Sequence, residues 1–276
     1  MGLTKIGRYE IEQELAQGGM GVIFLARDPY IQRHVVIKLL MQSRTLETVY
    51  REFFQQEAEL IAALEHPCIV PIYDFGWFAE QPYIVMRHMA GGSLADRLQK
   101  EELKQTEIAH IFKRIAEALD AAHTHNIIHR DVKPSNFLFD STGEIFLSDF
   151  GIAKSRTITD DDGTWLVGTP AYMSPEQVLG NPVDGRSDVY ALGIVLFRLL
   201  SGQLPFSNNS ITALINAHVD MPIPDIRSVK SKVPAVWQEV VAKAMAKDPK
   251  DRYPTAGDFA REVAEVVSGK WYLRKL

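Results

Sequence analysis

The sequence predicts an α+β fold with two lobes, a small antiparallel β lobe that holds one helix and a larger lobe that is mainly α-helical. Up to about residue 88, short runs rich in β-branched and aromatic residues alternate with turn signals, as in antiparallel sheets. From residue 89 onward, apolar residues recur mostly at helical spacing. We therefore assign an N-lobe to 1–88 and a C-lobe to 89–276, together one domain, with a cleft at their junction.

The N-lobe pattern predicts five strands and one helix. The strands are expected at Tyr9–Leu15, Gly21–Arg27, Val35–Leu40, Ile69–Phe75 and Tyr83–Met86. The helix is expected at Glu52–Leu64, because Phe54, Ala58 and Ile61 fall on one helical face.

The C-lobe pattern predicts a helix that starts near Thr106 and ends near Asn126, followed by short strands and further helices. The strands are expected at Phe137–Phe139 and Ile145–Ser148. The later helices are expected at Asp188–Leu200, Ser210–Val219, Ala235–Ala246 and Ala256–Val267.

Composition excludes several classes of function. A net charge of −5 provides no basic patch for nucleic acid, so no nucleic-acid partner is expected. The single cysteine, Cys68, cannot form an internal disulfide and fits a reducing compartment. The longest apolar run, Val189–Leu200, is shorter than the roughly 20 residues of a membrane span. We expect a cytoplasmic domain without membrane contact, although its parent chain could carry an anchor.

Two N-lobe features suit phosphate binding. Gly18, Gly19 and Gly21 lie between two predicted strands, where backbone N–H groups could face phosphate oxygens. A plain glycine-rich hairpin would explain them equally well. Lys38 ends an apolar run and could hold phosphates if Glu57 fixed its position, yet it could also be an ordinary exposed strand end.

The most specific signal is the segment His129–Asn136, followed by Asp149-Phe150-Gly151. Asp131 can accept the proton of a hydroxyl nucleophile, and Lys133 can neutralise charge on a transferring phosphoryl group. Asn136 and Asp149 offer the oxygen ligands that Mg²⁺ prefers. A surface loop rarely holds this full set at this spacing, so the segment predicts phosphoryl transfer.

These motifs resemble the eukaryotic-type serine/threonine protein kinase family, especially its bacterial members. HRDVKPSN, DFG, GTPAYMSPE and the glycine-rich turn with VVIK occur in the family's order, and the resemblance runs from about Tyr9 to about Val267. One departure is Ala16, which replaces the first glycine of the family's turn.

The resemblance implies that the domain transfers the γ-phosphate of ATP to Ser or Thr of proteins, with Mg²⁺ as the metal and Mn²⁺ as a substitute. Lys38, paired with Glu57, would hold the α and β phosphates, Asp131 would be the base, and Lys133 would contact the γ-phosphate. Asn136 and Asp149 would bind the metal. Nucleotide contacts are expected from Ala16, Gln17, Gly18, Gly19, Gly21, Ile23, Val36, Lys38, Met86, Arg87, Met89 and Leu138.

The resemblance also implies regulation and scaffolding roles. Lys133, two residues after Asp131, and Thr169 are typical of kinases that act on Ser or Thr. Arg130 would pair with a phosphate on the activation loop, where the candidates are Thr157, Thr159 and, first, Thr164; Asp160–Asp162 could partly replace that phosphate. A homodimer would allow autophosphorylation between copies. Glu176 and Arg252 would form a structural ion pair, and Asp188 would support the catalytic loop.

Two alternatives stay open at this point. The chain could be a pseudokinase that binds nucleotide or acts as a scaffold, and Ala16 is the one departure that favours this. A small-molecule phosphotransferase is a second alternative, but it would lack the GTPAYMSPE peptide platform.

Overall fold

The computed structural model of the chain describes residues 3–18, 21–40, 47–150, 159–160, 163–164 and 170–273. Its N-lobe is built on a six-stranded antiparallel sheet in the order β1-β2-β3-β4-β6-β5. The strands are β1 (Lys5–Ile6), β2 (Tyr9–Gly18), β3 (Gly21–Asp28), β4 (Arg33–Leu40), β5 (Ile72–Phe78) and β6 (Gln81–Arg87). The predicted N-lobe sheet is confirmed, with β1 as an additional short strand.

Helix α1 (Glu47–Ala62) packs on one face of this sheet. Phe54, 1% exposed, contacts the rings of Phe75 and Trp77 edge to face. This helix begins at Glu47 rather than at the predicted Glu52, because the prediction followed only the apolar stripe that faces the sheet.

A second connection between the lobes lies just before β5. Val70 donates its N–H to the Leu147 carbonyl (2.9 Å), and Leu147 donates to the Cys68 carbonyl (2.8 Å). Ile69 and Leu147 form a parallel bridge. The predicted strand Ile69–Phe75 is therefore wrong at its start, because these residues pair with the C-lobe and β5 begins only at Ile72.

The C-lobe is mainly helical, as predicted. Its helices are α2 (Leu94–Leu98), α3 (Gln105–Thr124), α4 (Pro175–Val178), α5 (Gly185–Ser201), α6 (Ile211–Asp220), α7 (Ile226–Val229), α8 (Val236–Ala244), α9 (Ala256–Val267) and α10 (Lys270–Leu273). Two hairpins complete it, β7 (Phe137–Phe139) with β8 (Ile145–Leu147), and β9 (Thr159–Asp160) with β10 (Gly163–Thr164). Single turns of 3-10 helix occur at Pro134–Asn136, Pro170–Tyr172 and Pro249–Asp251.

Helix α5 forms the centre of the C-lobe. It is apolar on all sides and almost wholly buried, as expected for a helix surrounded by other elements. Asp184 caps its first turn, and Gly202, with φ of 83°, ends it in the left-handed conformation that glycine adopts without strain. The helix contacts α3, α7, α8 and α9, so it fixes their relative positions.

Across the described ranges, no helix is both long enough and apolar enough to cross a membrane.

Candidate active site

A cleft of about 450 Å³ lies between the β-sheet and the C-lobe, where the sequence predicts a nucleotide. Nine predicted positions line it: Ala16, Ile23, Val36, Lys38, Met86, Arg87, Met89, Leu138 and Asp149. Its size falls in the range of small-molecule sites. Among the lining residues, Val36 pairs across β4 and β6 with Met86, which places both on the N-lobe wall. The geometry therefore brings the predicted adenine-side and phosphate-side residues to one cavity.

The glycine-rich turn closes the hairpin between β2 and β3, in which Gly18 pairs with Gly21. At Gly21, φ is +138° and an added Cβ would lie 2.0 Å from the Leu39 carbonyl oxygen. Gly21 is therefore required by the close approach of β4, not only by a ligand. An added Cβ at Gly18 would meet nothing within 4 Å. Gly18 and Gly21, like Gln17, are not among the lining residues of the cleft, and Gly19 is outside the described residues.

The segment after β6 connects the lobes. Met89 is 7% exposed and accepts a hydrogen bond from Gly92 on its carbonyl. In the described part of the chain, the Met89 N–H has no hydrogen-bond acceptor. An unpaired N–H at the wall of an apolar cleft suits a ligand acceptor, as an adenine edge would provide. The Arg87 guanidinium points elsewhere, to the Asp140 carboxylate at 3.1 Å.

Lys38 on β4 and Asp149 in the C-lobe form an ion pair across the cleft. The Lys38 Nζ lies 2.7 Å from Asp149 Oδ1, and the two side chains are 15% and 25% exposed. Burial alone would raise the pKa of Asp149, but the charge and hydrogen bond of Lys38 outweigh it and keep that pKa below its ordinary value. Asp149 is therefore an anion in the free protein, as a metal ligand must be.

The expected ion pair between Lys38 and Glu57 is not among those that the described residues form. Lys38 is instead neutralised by Asp149, while Glu57 lies half-buried on α1. Burial raises the pKa of Glu57 to about 7, and the nearby charge of Arg130 lowers it only in part. Within the described part of the chain, the side chain expected to anchor Lys38 thus takes part in no ion pair.

The burial of Glu57 predicts that the free energy of unfolding depends on pH. The folded-state pKa of Glu57 is raised from 4.5 to about 7, so the folded protein binds this proton more tightly than the unfolded chain does. The resulting stabilisation is complete below pH 4.5 and is lost as pH rises through 7. Glu57→Gln mimics the neutral form and is expected to be more stable than the wild type by about 1 kcal/mol at pH 8, once solvent screening is allowed for. At pH 4.5 the wild type and Glu57→Gln should have equal free energies of unfolding. Urea unfolding at both values measures this, with the exposed Glu52→Gln on the same helix as control. A difference that does not depend on pH would contradict it.

The predicted catalytic loop, residues 129–136, is held by hydrogen bonds from its backbone to Asp188 on α5. Its Oδ2 accepts the backbone N–H of His129, and its Oδ1 accepts that of Arg130, both at 2.9 Å. His123 on α3 contacts the same carboxylate at 2.7 Å. Arg130 has φ of +61°, a conformation that costs a non-glycine residue free energy unless its surroundings impose it. The predicted support by Asp188 is confirmed, and it supplies that constraint.

His129 fixes the loop from inside and is fully buried. Its Nε2 lies 2.8 Å from the Ser148 carbonyl, and its Nδ1 accepts the Asp131 N–H at 3.2 Å. A carbonyl can only accept, so these contacts assign a neutral ring with the proton on Nε2. His129 therefore joins the backbone of the predicted base to the residue that precedes Asp149.

Asp131 lies at the centre of a compact polar cluster and is 6% exposed. The Lys133 Nζ lies 2.9 Å from Asp131 Oδ2. Asn136 Nδ2 donates to the Asp131 carbonyl at 2.8 Å and to its Oδ2 at 3.2 Å. The structure thus brings together three residues that the sequence grouped only by spacing.

Asn136 and Asp149 are suited to a divalent cation. The Asn136 amide nitrogen is used by Asp131, which leaves the side-chain oxygen as the coordinating atom. The Ser148 N–H and hydroxyl both bind the Asn136 carbonyl, at 2.9 and 3.1 Å, so the two ligands are tied through adjacent backbone. An amide oxygen beside an ionised carboxylate is a donor set that Mg²⁺ accepts together with phosphate oxygens. The residues fit the metal.

The segment 170–178, which we call the platform, is attached to the catalytic loop. Gln177 donates its side-chain N–H to the Arg130 carbonyl at 3.1 Å. Glu176 forms the predicted ion pair with Arg252 through two contacts of 2.6 and 2.7 Å, and this pairing is confirmed. The platform is therefore fixed both to the loop and to the base of the C-lobe.

The predicted regulatory threonines are only partly described. Thr159 and Thr164 face each other in the backbone pairing of β9 and β10. Thr157 and Thr169 lie outside the described residues. Arg130 is described, and its buried Nε has no hydrogen-bond partner among the described residues.

Sequence reasoning missed several residues of the site. The cleft is also lined by Leu15, His88, Ala90, Gly92, Ser93, Asp96, Ser135 and Ser148. Ser93 and Asp96 form a capping box at the start of α2, a pattern that the sequence shows and that would have identified this helix. Ser148 acts mainly through its backbone, which no side-chain motif reveals.

Comparisons with known proteins agree with this geometry. Residues 9–271 match the family described as protein kinase domain. The chain is 37% identical over 268 residues to the serine/threonine-protein kinase PknJ of Mycobacterium tuberculosis, a match that covers 95% of this chain and 46% of that protein. It is 38% identical over 261 residues to the serine/threonine-protein kinase PrkC of Bacillus subtilis, with 93% and 40% covered. The chain thus spans less than half the length of these curated relatives.

A solved structure has the same fold. The crystal structure of the PknI kinase domain of Mycobacterium tuberculosis matches with a TM-score of 0.76 and 28% identity, over 96% of this chain and 99% of that one. The bilobal architecture, the polar cluster around Asp131 and the match over residues 9–271 lead to one conclusion: the chain belongs to the protein kinase family.

Proposed function

We propose that this domain is a serine/threonine protein kinase that uses ATP and Mg²⁺. The observation that carries the proposal is the polar cluster at the cleft, in which Asp131 contacts Lys133 and Asn136 while Asp149 contacts Lys38. The two relatives, both serine/threonine-protein kinases, support Ser or Thr as the acceptor, as does Lys133 at its position two residues after Asp131. We also propose that the N-lobe ends at residue 88 and that the C-lobe begins at residue 89.

The residues divide the chemistry among them. Asp131 orients the acceptor hydroxyl and takes its proton while the oxygen forms a bond to the γ-phosphorus and the bond to ADP breaks. Lys133 lies beside that carboxylate and offsets negative charge on the transferring group. Lys38 holds the α and β phosphates from the roof of the cleft. Mg²⁺ bound through Asn136 and Asp149 would neutralise phosphate charge.

Lys38 has to exchange partners for this chemistry. In the present conformation Lys38 is bound to Asp149, whereas burial raises the pKa of Glu57 to about 7 and the charge of Arg130 offsets this only in part. We propose that Asp149 would turn from Lys38 toward the metal when Mg-ATP is bound, which would free the Lys38 ammonium to contact the phosphates. An ionised Glu57 would then form with Lys38 an ion pair that the described residues do not show here.

Mass spectrometry of the intact protein after incubation with Mg-ATP tests the function. We expect phosphate on the wild type and none on Asp131→Asn incubated alone. Mixing the two, with the inactive chain distinguished by mass, tests whether transfer occurs between copies, as a homodimer would allow. A wild type that binds ATP but transfers no phosphate to itself or to a generic protein would favour the alternative, a nucleotide-binding scaffold.

A phosphate on Thr164 is expected to switch the domain on. The buried Nε of Arg130 has no acceptor in the ranges that the structure describes, and a phosphate would supply a charge-assisted one. Thr164→Ala is then expected to lower peptide phosphorylation by roughly tenfold or more. Thr212→Ala is the matched control, because Thr212 is exposed on α6, outside the loop that carries the candidate threonines. Full activity of Thr164→Ala, with no phosphate found on the wild-type loop, would remove the switch and leave Asp160–Asp162 as the ordering charges.

A further inference from the structure

Arg198 is an unusual residue in the buried helix α5. The surrounding positions of the helix, Ala191–Phe197 and Leu199–Ser201, are buried, whereas Arg198 is part-exposed. Its Nη1 donates to the Tyr172 hydroxyl at 2.6 Å. Tyr172 belongs to the platform, so this guanidinium lies directly beneath the segment that is attached to the catalytic loop.

The carboxylates around the platform are already used by other cations. Glu176 binds Arg252, Asp184 binds Arg186, and Asp188 binds His123. Arg198 has no carboxylate partner in the described part of the chain. Its one side-chain partner, the Tyr172 phenol, does not neutralise it: burial raises the pKa of Tyr172, although Arg198 acts in the opposite direction.

A purely structural role explains the position only in part. Arg198 lies in the last turn of α5, where a cation interacts favourably with the partial negative charge of the helix end. Such an interaction is satisfied by a single positive charge. A guanidinium offers five donors in a planar fork suited to carboxylate or phosphate groups, and the contact with Tyr172 uses one of them.

The platform links this cation to the acceptor site. Gln177 binds the Arg130 carbonyl, and Arg130 directly precedes Asp131. Tyr172 and Gln177 lie at the two ends of the same short segment, so one end contacts the catalytic loop and the other contacts Arg198. A peptide whose hydroxyl reaches Asp131 would therefore run across a surface with a part-exposed positive charge.

We propose that Arg198 is a specificity-determining residue that recognises an anionic side chain close to the acceptor Ser or Thr of the protein substrate. The proposal deepens the kinase function and rests on it. The recognised group is a carboxylate or a phosphate, both of which accept paired hydrogen bonds from a guanidinium.

Peptide kinetics test the proposal. The purified domain is assayed with a neutral threonine peptide and with versions carrying one Asp, Glu or phosphoserine at each position around the acceptor. We expect kcat/KM for the wild type to be higher for an anionic residue at one position, mainly through a lower KM. Arg198→Gln should reduce the ratio of anionic to neutral kcat/KM by roughly tenfold, the effect of one lost charged hydrogen bond. Arg198→Lys should restore part of the ratio, and Arg198→Glu should lower it below the value for Arg198→Gln, because a carboxylate at residue 198 repels the anionic peptides.

Arg261→Gln is the matched control, because Arg261 is 68% exposed on α9, away from the platform. The Asp and phosphoserine peptides distinguish a carboxylate from a phosphate as the recognised group. Equal effects of Arg198→Gln on neutral and anionic peptides would assign Arg198 to the internal structure and overturn the proposal. Equal use of all peptides by the wild type would overturn it while leaving the kinase function intact. Phosphorylation of no peptide and no self-phosphorylation would overturn both.

Discussion

Asp149→Asn is expected to reduce phosphate transfer roughly 100- to 1,000-fold while the domain stays folded. Asp149 supplies the ionised oxygen of the proposed metal site, and an amide in its place removes the charge but not the shape. Asparagine is the appropriate replacement, because residue 149 has φ of +61° and asparagine tolerates this conformation well. Steady-state kinetics with a threonine peptide measure the loss.

Nucleotide binding separates the metal role of Asp149 from a structural one. We expect magnesium to strengthen ATP binding to the wild type and to have little effect on binding to Asp149→Asn, as measured by titration calorimetry. The exposed Asp251→Asn is the control for loss of one negative charge. Retention of the full magnesium effect in Asp149→Asn would contradict the assignment of this carboxylate to the metal.

Arg252→Met is expected to destabilise the domain by about 3–5 kcal/mol, since it leaves Glu176 buried without a cation. Arg252 is 3% exposed and uses all five of its N–H donors. The acceptors are both Glu176 carboxylate oxygens and the carbonyls of Ala246, Arg186 and Lys247. Urea unfolding at pH 7 measures the change. Phosphate transfer per folded molecule should change much less.

The same pair predicts how this loss depends on pH. Burial would raise the pKa of Glu176, but hydrogen bonds from Arg252 and Ser187 keep it below its ordinary value of 4.5. The wild type thus gains stability from this carboxylate above pH 4.5 and loses it as pH falls further. Without Arg252, burial dominates and the folded-state pKa of Glu176 rises. As pH falls, Glu176 is therefore protonated in the folded variant, and the unpaired buried charge is removed. The difference in free energy of unfolding between the wild type and Arg252→Met should become smaller from pH 7 toward pH 5.

A double variant supplies the control. Glu176→Gln combined with Arg252→Met removes the unpaired charge, and we expect it to be more stable than Arg252→Met alone. If the second change recovers no stability, the cost of Arg252→Met arises from lost packing rather than from the buried carboxylate.

The fold class could be predicted because the spacing of apolar residues along the sequence differs between the two lobes. The N-lobe strands and the long helices α3, α5 and α9 carry strong local patterns, so their existence followed from the sequence. Short elements such as α7 and β1 have too few residues for a period to appear. The start of β5 could not be predicted, because the choice between β6 and β8 as partner for residue 69 is a tertiary one.

The site was predictable where chemistry demands a particular side chain. Asp131, Asn136 and Asp149 had to be polar at fixed spacing, and Glu176 and Arg252 followed from the family resemblance. The partner of Lys38 was not predictable, because both Asp149 and Glu57 were available and the position of α1 decides between them. The role of Ser148 was hidden for a different reason, since any residue could supply its backbone carbonyl to His129.

The bridge between Leu147 and residues 68–70 restricts how the cleft can open. The lobes are joined covalently through the segment after β6, and the backbone bonds at Leu147 attach them a second time, on the side of α1. Two attachments leave one easy motion, a rotation about the line that joins them. Nucleotide entry then requires the glycine-rich edge of the sheet to swing, with little sliding or twisting of one lobe over the other. Residues 68–70 lie at this second attachment, so such a rotation can proceed without breaking the backbone bonds at Leu147.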